Sequence, residues 1–283
     1  MERTLVHFLD DLLIIIVIYE IKIGESPAFS SLTNALNSVS CSSTFFIYDN
    51  SSVSQAIPEN NPGSLFYYHD AINPGVSKAY NEGFKKAKAI HKKWLLISDQ
   101  DTGFPAGYFE KVKATMNTCT SDEFFVPVLK NESWFVSPFR FKLGRGVVLN
   151  EIDRQSYPLD HYRFINSGLL ISVALFEKCG GYDERFPLDF SDLAFAHRIM
   201  KYQDKFVVIP ATCTHHLSSE EQNVTLSLGR FARFINASRL YGEVFDLRFI
   251  LFINRFFRAL KLGWQFRSFE FVKCLFQNTK IPS

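Results

Sequence analysis

Trp94-Leu95-Leu96-Ile97-Ser98-Asp99-Gln100-Asp101-Thr102 is an apolar run that ends in two carboxylates one residue apart. An unbroken run of this kind predicts a strand buried on both faces, as parallel strands are. Open α/β sheets take ligands just beyond the carboxyl ends of such strands. Two Asp side chains where the chain leaves the strand can converge on one hard divalent cation, and its preference for oxygen suits a diphosphate. By itself the string is better explained as a solvated turn. Its neighbours change that reading.

Working outward, Leu12–Tyr19, Ser43–Tyr48 and Leu65–His69 predict further strands, and Lys93–Ser98 is the strand within the opening string. Pro27–Val39 and Ser77–His91 have helical spacing between them. Repeated strand–helix alternation predicts an α/β, doubly wound, mostly parallel sheet of Rossmann-like type, with strand carboxyl ends gathered along one edge. Beyond Pro105 the pattern gives one more helix, then strands at Glu123–Leu129, Phe164–Ser172 and Phe206–Pro210, and a helix at Leu193–Tyr202. Residues 130–162 read as a long irregular loop, of the kind that is functional or mobile.

The chain has 283 residues, 47% hydrophobic and 21% charged, enough for one large domain with a tail. The net charge of +2 gives no case for nucleic acid. Cys41, Cys119, Cys179, Cys213 and Cys274 are scattered, with no C-x-x-C pair, and predict free thiols in a reducing cytoplasm. Glu2, Asp10 and Asp11 precede the first apolar run, the wrong charge order for a signal peptide. That run is far shorter than the roughly 20 residues of a membrane span.

The last stretch is different in kind. Between 247 and 273, Phe249, Phe252, Phe256, Phe257, Phe266, Phe269 and Phe271 interleave with Arg248, Arg255, Arg258, Lys261, Arg267 and Lys273. Basic and aromatic residues at helical spacing predict a C-terminal amphipathic helical tail, suited to an anionic membrane interface. The same pattern fits a helix docked on the core, with Arg stems covering apolar surface.

Acidic residues from separate segments fall at predicted strand ends: Tyr19-Glu20, Asp49-Asn50, Asp99 with Asp101, and Asp192 further along. Carboxylates gathered at one edge repel unless a cation or ligand compensates. Further matches accompany them: Ile47-Tyr48-Asp49-Asn50-Ser51-Ser52, Asn73-Pro74-Gly75 leading to Ala79-Tyr80-Asn81-Glu82-Gly83, Gly180-Gly181-Tyr182-Asp183-Glu184-Arg185-Phe186, and Asp192 six residues before Arg198. In this order, over about residues 12–218, these segments resemble the inverting glycosyltransferases of family 2, with their GT-A fold, and the D-Q-D-Thr102 form resembles the rhamnosyltransferase branch. Glu20 stands where that family more often has Asn, Ser191 where many members have Glu, and Ala194 where many have a second acid.

The resemblance implies a GT-A domain over residues 1–225, with a nucleotide-sugar half of about 1–103 and an acceptor half of about 104–225, followed by a membrane-associating tail at 226–283. It implies sugar transfer from a nucleoside diphosphate to an acceptor hydroxyl, with rhamnose from dTDP-rhamnose as the first candidate and UDP-hexoses open. Tyr19, Glu20, Asp49, Asn73, Gly75, Asn81, Asp99 and Asp101 are then the donor-binding candidates. Asp99, Asp101 and His215 are the candidates for holding Mg²⁺ or Mn²⁺; His215 lies in Thr214-His215-His216-Leu217-Ser218, and either His215 or His216 is the candidate ligand. Asp192 is the candidate general base, with Asp189 as a weaker substitute. Trp134, Asn166, Ser167 and Gly168 are the acceptor-side candidates. The implied acceptor is a lipid-linked glycan in surface polysaccharide synthesis, at the cytoplasmic face of the inner membrane. Ser191 and Ala194 keep open a non-catalytic binding protein on the same fold. A nucleotidyltransferase would show a Gly-rich basic loop after the first strand, and Gly24 alone does not supply one.

Overall fold

Every residue of the first strand is buried, as a β-branched run between two layers of helices requires. The computed structural model describes residues 5–58, 63–215 and 223–276. In chain order the strands are β1 (Leu12–Ile18), β2 (Ser43–Asp49), β3 (Gly63–His69), β4 (Trp94–Asp99), β5 (Thr102–Gly103), β6 (Phe124–Lys130), β7 (Phe135–Ser137), β8 (Phe139–Lys142), β9 (Arg145–Val147), β10 (Ser156–Pro158), β11 (Tyr162–Arg163), β12 (Leu169–Ser172) and β13 (Lys205–His215). The α-helices are α1 (Leu5–Asp10), α2 (Pro27–Ser38), α3 (Val76–Ala89), α4 (Tyr108–Thr118), α5 (Val173–Lys178), α6 (Ser191–Ile199), α7 (Val224–Val244), α8 (Arg248–Gln265) and α9 (Glu270–Cys274).

The main sheet runs β10-β13-β6-β12-β4-β1-β2-β3. Strands β3, β2, β1 and β4 are parallel neighbours, and β6 pairs parallel with β13, so the expected doubly wound sheet is present. The antiparallel β12 wedges between β4 and β6. Alternate residues of β1 feed two cores, Leu12, Ile14 and Ile16 on one face and Leu13, Ile15 and Val17 on the other. The many aromatic residues largely fill these layers, as where Tyr182 stacks on Phe195 at 4.0 Å.

Several elements depart from the sequence reading. The strand predicted over Phe164–Ser172 shortens to Leu169–Ser172, because Gly168 takes φ +79° and turns the chain before it enters the sheet. The strand predicted to stop at Pro210 continues to His215. Its register with β6 shifts between Ile209 and Thr212, and this irregularity absorbs the proline that was read as a terminator. The segment 130–162 is not structureless: β11, β8 and β9 form a second, small antiparallel sheet within it. The helix predicted from Leu193 starts at Ser191, one residue before Asp192.

After residue 223 the chain is helical. Tyr241 of α7 and Leu251 of α8 pack with Phe186 and with Ala194 of α6. His197 stacks on Phe245 at 4.2 Å, and burial, reinforced by the nearby Arg163 charge, pushes its imidazole down to about 4. Helix α8 has two unlike faces. Leu251, Arg255 and Ala259, four residues apart, are buried, whereas Phe249, Phe252, Phe256, Leu260 and Trp264 form an exposed stripe on the other side. No described helix is long and apolar enough to cross a membrane.

Candidate active site

The carboxyl ends of β1, β2 and β4 open onto one cleft of about 690 Å³. Tyr19, Asn50, Asn73, Gly75, Asp99 and Asp101 line it together with Asn166, Asp189, Asp192, His215 and Arg233. Volume and polar lining both fall in the range of small-ligand sites. The sequence separation of these residues is bridged by the fold: β12 carries the turn bearing Asn166 to the side of β4, and the continuation of β13 carries His215 to Thr102, its register partner in β5.

The turn after β4 is held from several sides. Gln100 Oε1 accepts the Tyr19 N–H at 2.7 Å, and Gln100 O accepts the Ser26 hydroxyl at 2.9 Å and the Ala28 N–H at 3.1 Å. Ser167 Oγ accepts the Asp99 N–H at 3.0 Å and lies 3.0 Å from Ser98 Oγ and 2.7 Å from Thr102 Oγ1. Thr102 Oγ1 in turn lies 2.9 Å from His215 Nδ1. This buried knot ties β4, β5, β12 and β13 together directly beneath the two carboxylates.

Asp99 stands close enough to Asp192 for its charge to raise the Asp192 carboxyl. Burial pushes the Asp99 carboxyl up to about 6 and the charge of Asp101 adds to the rise, against the Tyr80 hydroxyl that donates to Asp99 Oδ1 at 2.5 Å. Burial likewise pushes the Asp192 carboxyl up to about 7, against the Leu193 N–H that it accepts at 2.7 Å, and the Asp99 charge contributes. The rings of Tyr80 and Tyr182, 4.9 Å apart, form a floor between them. Asp192 therefore sits in the first turn of α6 with a carboxyl poised to exchange a proton near neutrality.

The remaining candidates divide into those that face the cleft and those that brace it. Asn166 faces it, while its Nδ2 donates to Ser191 Oγ at 3.0 Å and its Oδ1 accepts the Tyr182 hydroxyl at 2.9 Å. Ser191 thus fixes the start of α6, and Ala194 is buried against Tyr241 and Leu251. Ser167 and Gly168 do not line the cleft; Ser167 is wholly buried in the knot described above. Asp49 is also buried, its carboxylate accepting Ser51 N–H at 2.9 Å, Gln55 Nε2 at 3.0 Å and Tyr67 Oη at 2.8 Å. Burial alone would raise this carboxyl, but these bonds outweigh it and hold it below the usual range. Glu20 is turned to the same loop, where its Oε1 accepts the Ser52 N–H at 2.9 Å. Asn81 binds Tyr182 through both its side-chain groups, at 2.9 and 3.0 Å.

Gly75 explains how the two walls meet. Its φ of +93° is one an L side chain rarely adopts, and an added Cβ would lie 2.3 Å from Pro187 O. The close approach is thus to the chain itself: Val76 N–H donates to Pro187 O at 2.7 Å and the Ser77 hydroxyl to Phe186 O at 2.6 Å. Asn73, with φ +51°, turns the chain toward this seam.

Trp134 lies in a neighbouring depression of about 350 Å³, lined also by Lys130, Asn131 and Thr214, that meets the main cleft at His215. For a divalent cation, Asp101 and His215 offer one pair, with Oδ1 and Nδ1 3.6 Å apart. No cluster of three or more His, Cys, Asp or Glu ligands converges among the described residues. That donor set fits an open site, in which one or two carboxylates share a cation with a ligand's phosphate oxygens, rather than a closed protein cage. His216, Leu217 and Ser218 lie outside the described residues. Gln100, Tyr80, Tyr182 and Arg233 were not singled out from sequence; Tyr80 and Tyr182 lay inside quoted motifs, and Gln100 between the two aspartates, where spacing gave them no separate signal.

No protein-family profile matches the chain, and no curated protein resembles it in sequence. Solved structures do. The chain superposes on S. aureus TarS with a TM-score of 0.51 at 14% identity, covering 81% of this chain and 43% of that one. It superposes on residues 1–349 of S. aureus TarS in complex with UDP-GlcNAc with a TM-score of 0.50 at 14% identity, covering 81% of this chain and 64% of that one. This chain thus spans less than two thirds of either matched chain, and at this identity the likeness speaks to the fold. The fold is the GT-A fold that the motifs imply, with a helical C-terminal region.

Proposed function

We propose that this protein is an inverting glycosyltransferase of the family 2 type, moving a sugar from a nucleoside diphosphate to an acceptor hydroxyl. One observation carries the reading: Asp99 and Asp101 at the end of β4 and Asp192 at the start of α6 line the same cleft. Asp192 accepts the proton of the acceptor hydroxyl as that oxygen attacks the anomeric carbon, and the nucleoside diphosphate departs on the opposite side. Asp101, with His215 beside it, would hold Mg²⁺ or Mn²⁺ against the diphosphate, and the bound ion would act as a Lewis acid on the developing charge. Tyr19, Asn50 and Asn73 flank the donor end, and Tyr80 and Gln100 fix the geometry there by holding the Asp99 carboxyl and the Tyr19 backbone. Asp49, Glu20 and Asn81 support the donor end as bracing residues.

Rhamnose from dTDP-rhamnose stays the first candidate donor on the D-Q-D-Thr102 string. Because Thr102 is buried in the knot and does not line the cleft, UDP-sugars belong in the same test. A screen of dTDP- and UDP-sugars, with and without Mn²⁺, should release nucleoside diphosphate from at least one donor, read by product mass. No release and no binding of any nucleotide would end the transferase reading.

The acceptor in this proposal is a lipid-linked glycan, and the enzyme works as a peripheral protein at the cytoplasmic face of the inner membrane. The exposed stripe on α8 supports this: Phe249 is 78% exposed and Trp264 86%, on a helix with Arg248 and Lys261 and no acidic residue. Because Leu251 is buried against the acceptor half, cutting the chain after residue 246 would damage packing as well. The cleaner variant combines Phe249→Ser, Phe257→Ser and Trp264→Ser. It should lose about tenfold in binding to vesicles containing anionic lipid while keeping its thermal midpoint. Wild-type vesicle binding would remove α8 as the anchor.

A further inference from the structure

At the acceptor-side edge of the cleft, Arg233 lines the wall and two further arginines stand near it, none of them used by the reaction outlined above. Asp189 and Arg233 both line the cleft. Arg230 and Arg233 are one turn apart on α7 and exposed, and Arg258 reaches the same place from α8, its guanidinium 4.0 Å above the Phe234 ring. Helix α7 is seated there by Phe190, whose ring lies 5.5 Å from Phe234 and 5.0 Å from Tyr241. Burial raises the Asp189 carboxyl, and the charges of Arg258, Arg233 and Arg230 oppose that rise, so all three lie within electrostatic reach of one acid. Among the described residues, the other acid lining the cleft on this side is Asp192. Among the residues of α7 and α8 themselves, Glu243 is the sole acid, at the far end of α7.

Guanidiniums converging on one cleft edge suit an anion with several oxygens. The edge lies beside Asp192, where an attacking hydroxyl would be presented. It also adjoins α8, the helix with the exposed aromatic stripe. We infer that Arg233 and Arg258, with Arg230, form an anion subsite that binds a phosphate group of the acceptor and so orients its hydroxyl toward Asp192. This deepens the transferase reading and rests on it: the acceptor class becomes a phosphate-bearing glycan.

The same chemistry would also suit the diphosphate of the donor, so the test separates the two sources. Inorganic phosphate is titrated calorimetrically into wild type, Arg233→Gln and Arg258→Gln, alone and with saturating UDP or dTDP, whichever binds. Phosphate should bind the UDP-saturated wild type, and each variant should weaken it by about tenfold while shifting nucleotide affinity by less than about twofold. Arg233→Lys, which keeps the charge without the fork, should fall between, showing that the loss is not one of folding. Competition between phosphate and the nucleotide, with both weakened equally in the variants, would assign the arginines to the donor and overturn the inference. Phosphate binding that is undetectable in the wild type, or unchanged in both Gln variants, would overturn it as well. If no nucleotide binds the wild type, the transferase reading fails, and the acceptor assignment with it, even where phosphate still binds.

Discussion

Asp192→Asn should reduce turnover by about a thousandfold while leaving nucleotide binding nearly intact. The change keeps the shape of the side chain and its place in the first turn of α6, but the amide cannot take a proton. The wild-type pH profile provides a second arm. The base acts when ionised, and burial holds its carboxyl up to about 7, so kcat/KM should rise as pH climbs through that value. The variant should lack that limb. Stability should move the other way. A carboxyl whose folded value lies above its unfolded one contributes stability below about pH 4 and loses it as pH rises through the folded value. Ionising Asp99 near pH 6 and Asp192 near pH 7 thus weakens the fold at alkaline pH. Asp192→Asn should recover on the order of 2 kcal/mol at pH 8 and little at pH 4, read by denaturant midpoints. A variant with wild-type rates, or one destabilised at pH 8, would remove Asp192 from the role of base.

Asp101→Asn should have the second largest effect, a fall of about a hundredfold or more in kcat/KM. Asp101 differs from Asp99 in its surroundings: the Asp99 carboxylate accepts the Tyr80 hydroxyl, and its backbone N–H donates to the Ser167 hydroxyl, whereas Asp101 turns to His215 and its side chain is 36% exposed. It is therefore the carboxylate with room for a cation. The direct reading is Mn²⁺ binding by electron paramagnetic resonance in the presence of UDP or dTDP. The variant should need about tenfold more Mn²⁺ to reach half occupancy. Unchanged occupancy together with unchanged rates would mean that the cation, if the reaction uses one, sits elsewhere.

Much of this architecture was readable from the chain because parallel strands advertise themselves. Leu12–Ile18 and Trp94–Ile97 are apolar without interruption, and burial on both faces leaves no other reading. The elements that were misread have the opposite character. Pro210 looks like a stop, yet the strand tolerates it at a register shift, and only the strand's neighbours decide that. Strands β8, β9 and β11 are two to four residues long and pair with one another in their own small sheet, a cooperation no local pattern encodes. In the site, residues that meet a ligand and residues that brace it have the same chemical types. Asp49 and Asp101 are both turn aspartates after buried strands, and partners distant in sequence decide which one is consumed by its own loop. Arg233 gave no signal because its significance comes from the docking of α7 beside residues 186–194, which periodicity alone left open.

The seam at Gly75 has a consequence for selectivity. The backbone of residues 75–77 is stitched to Pro187 and Phe186, and Asn81 is stitched to Tyr182 one helical turn further on. The two banks of the cleft are therefore riveted rather than hinged, and parting them would sever all of these links together. Under the proposed function, a vise of fixed gauge would sort sugars by fit at its rim instead of by closing around the correct one. Donor preference in such a protein should yield to exchange of single rim side chains, with the frame left untouched.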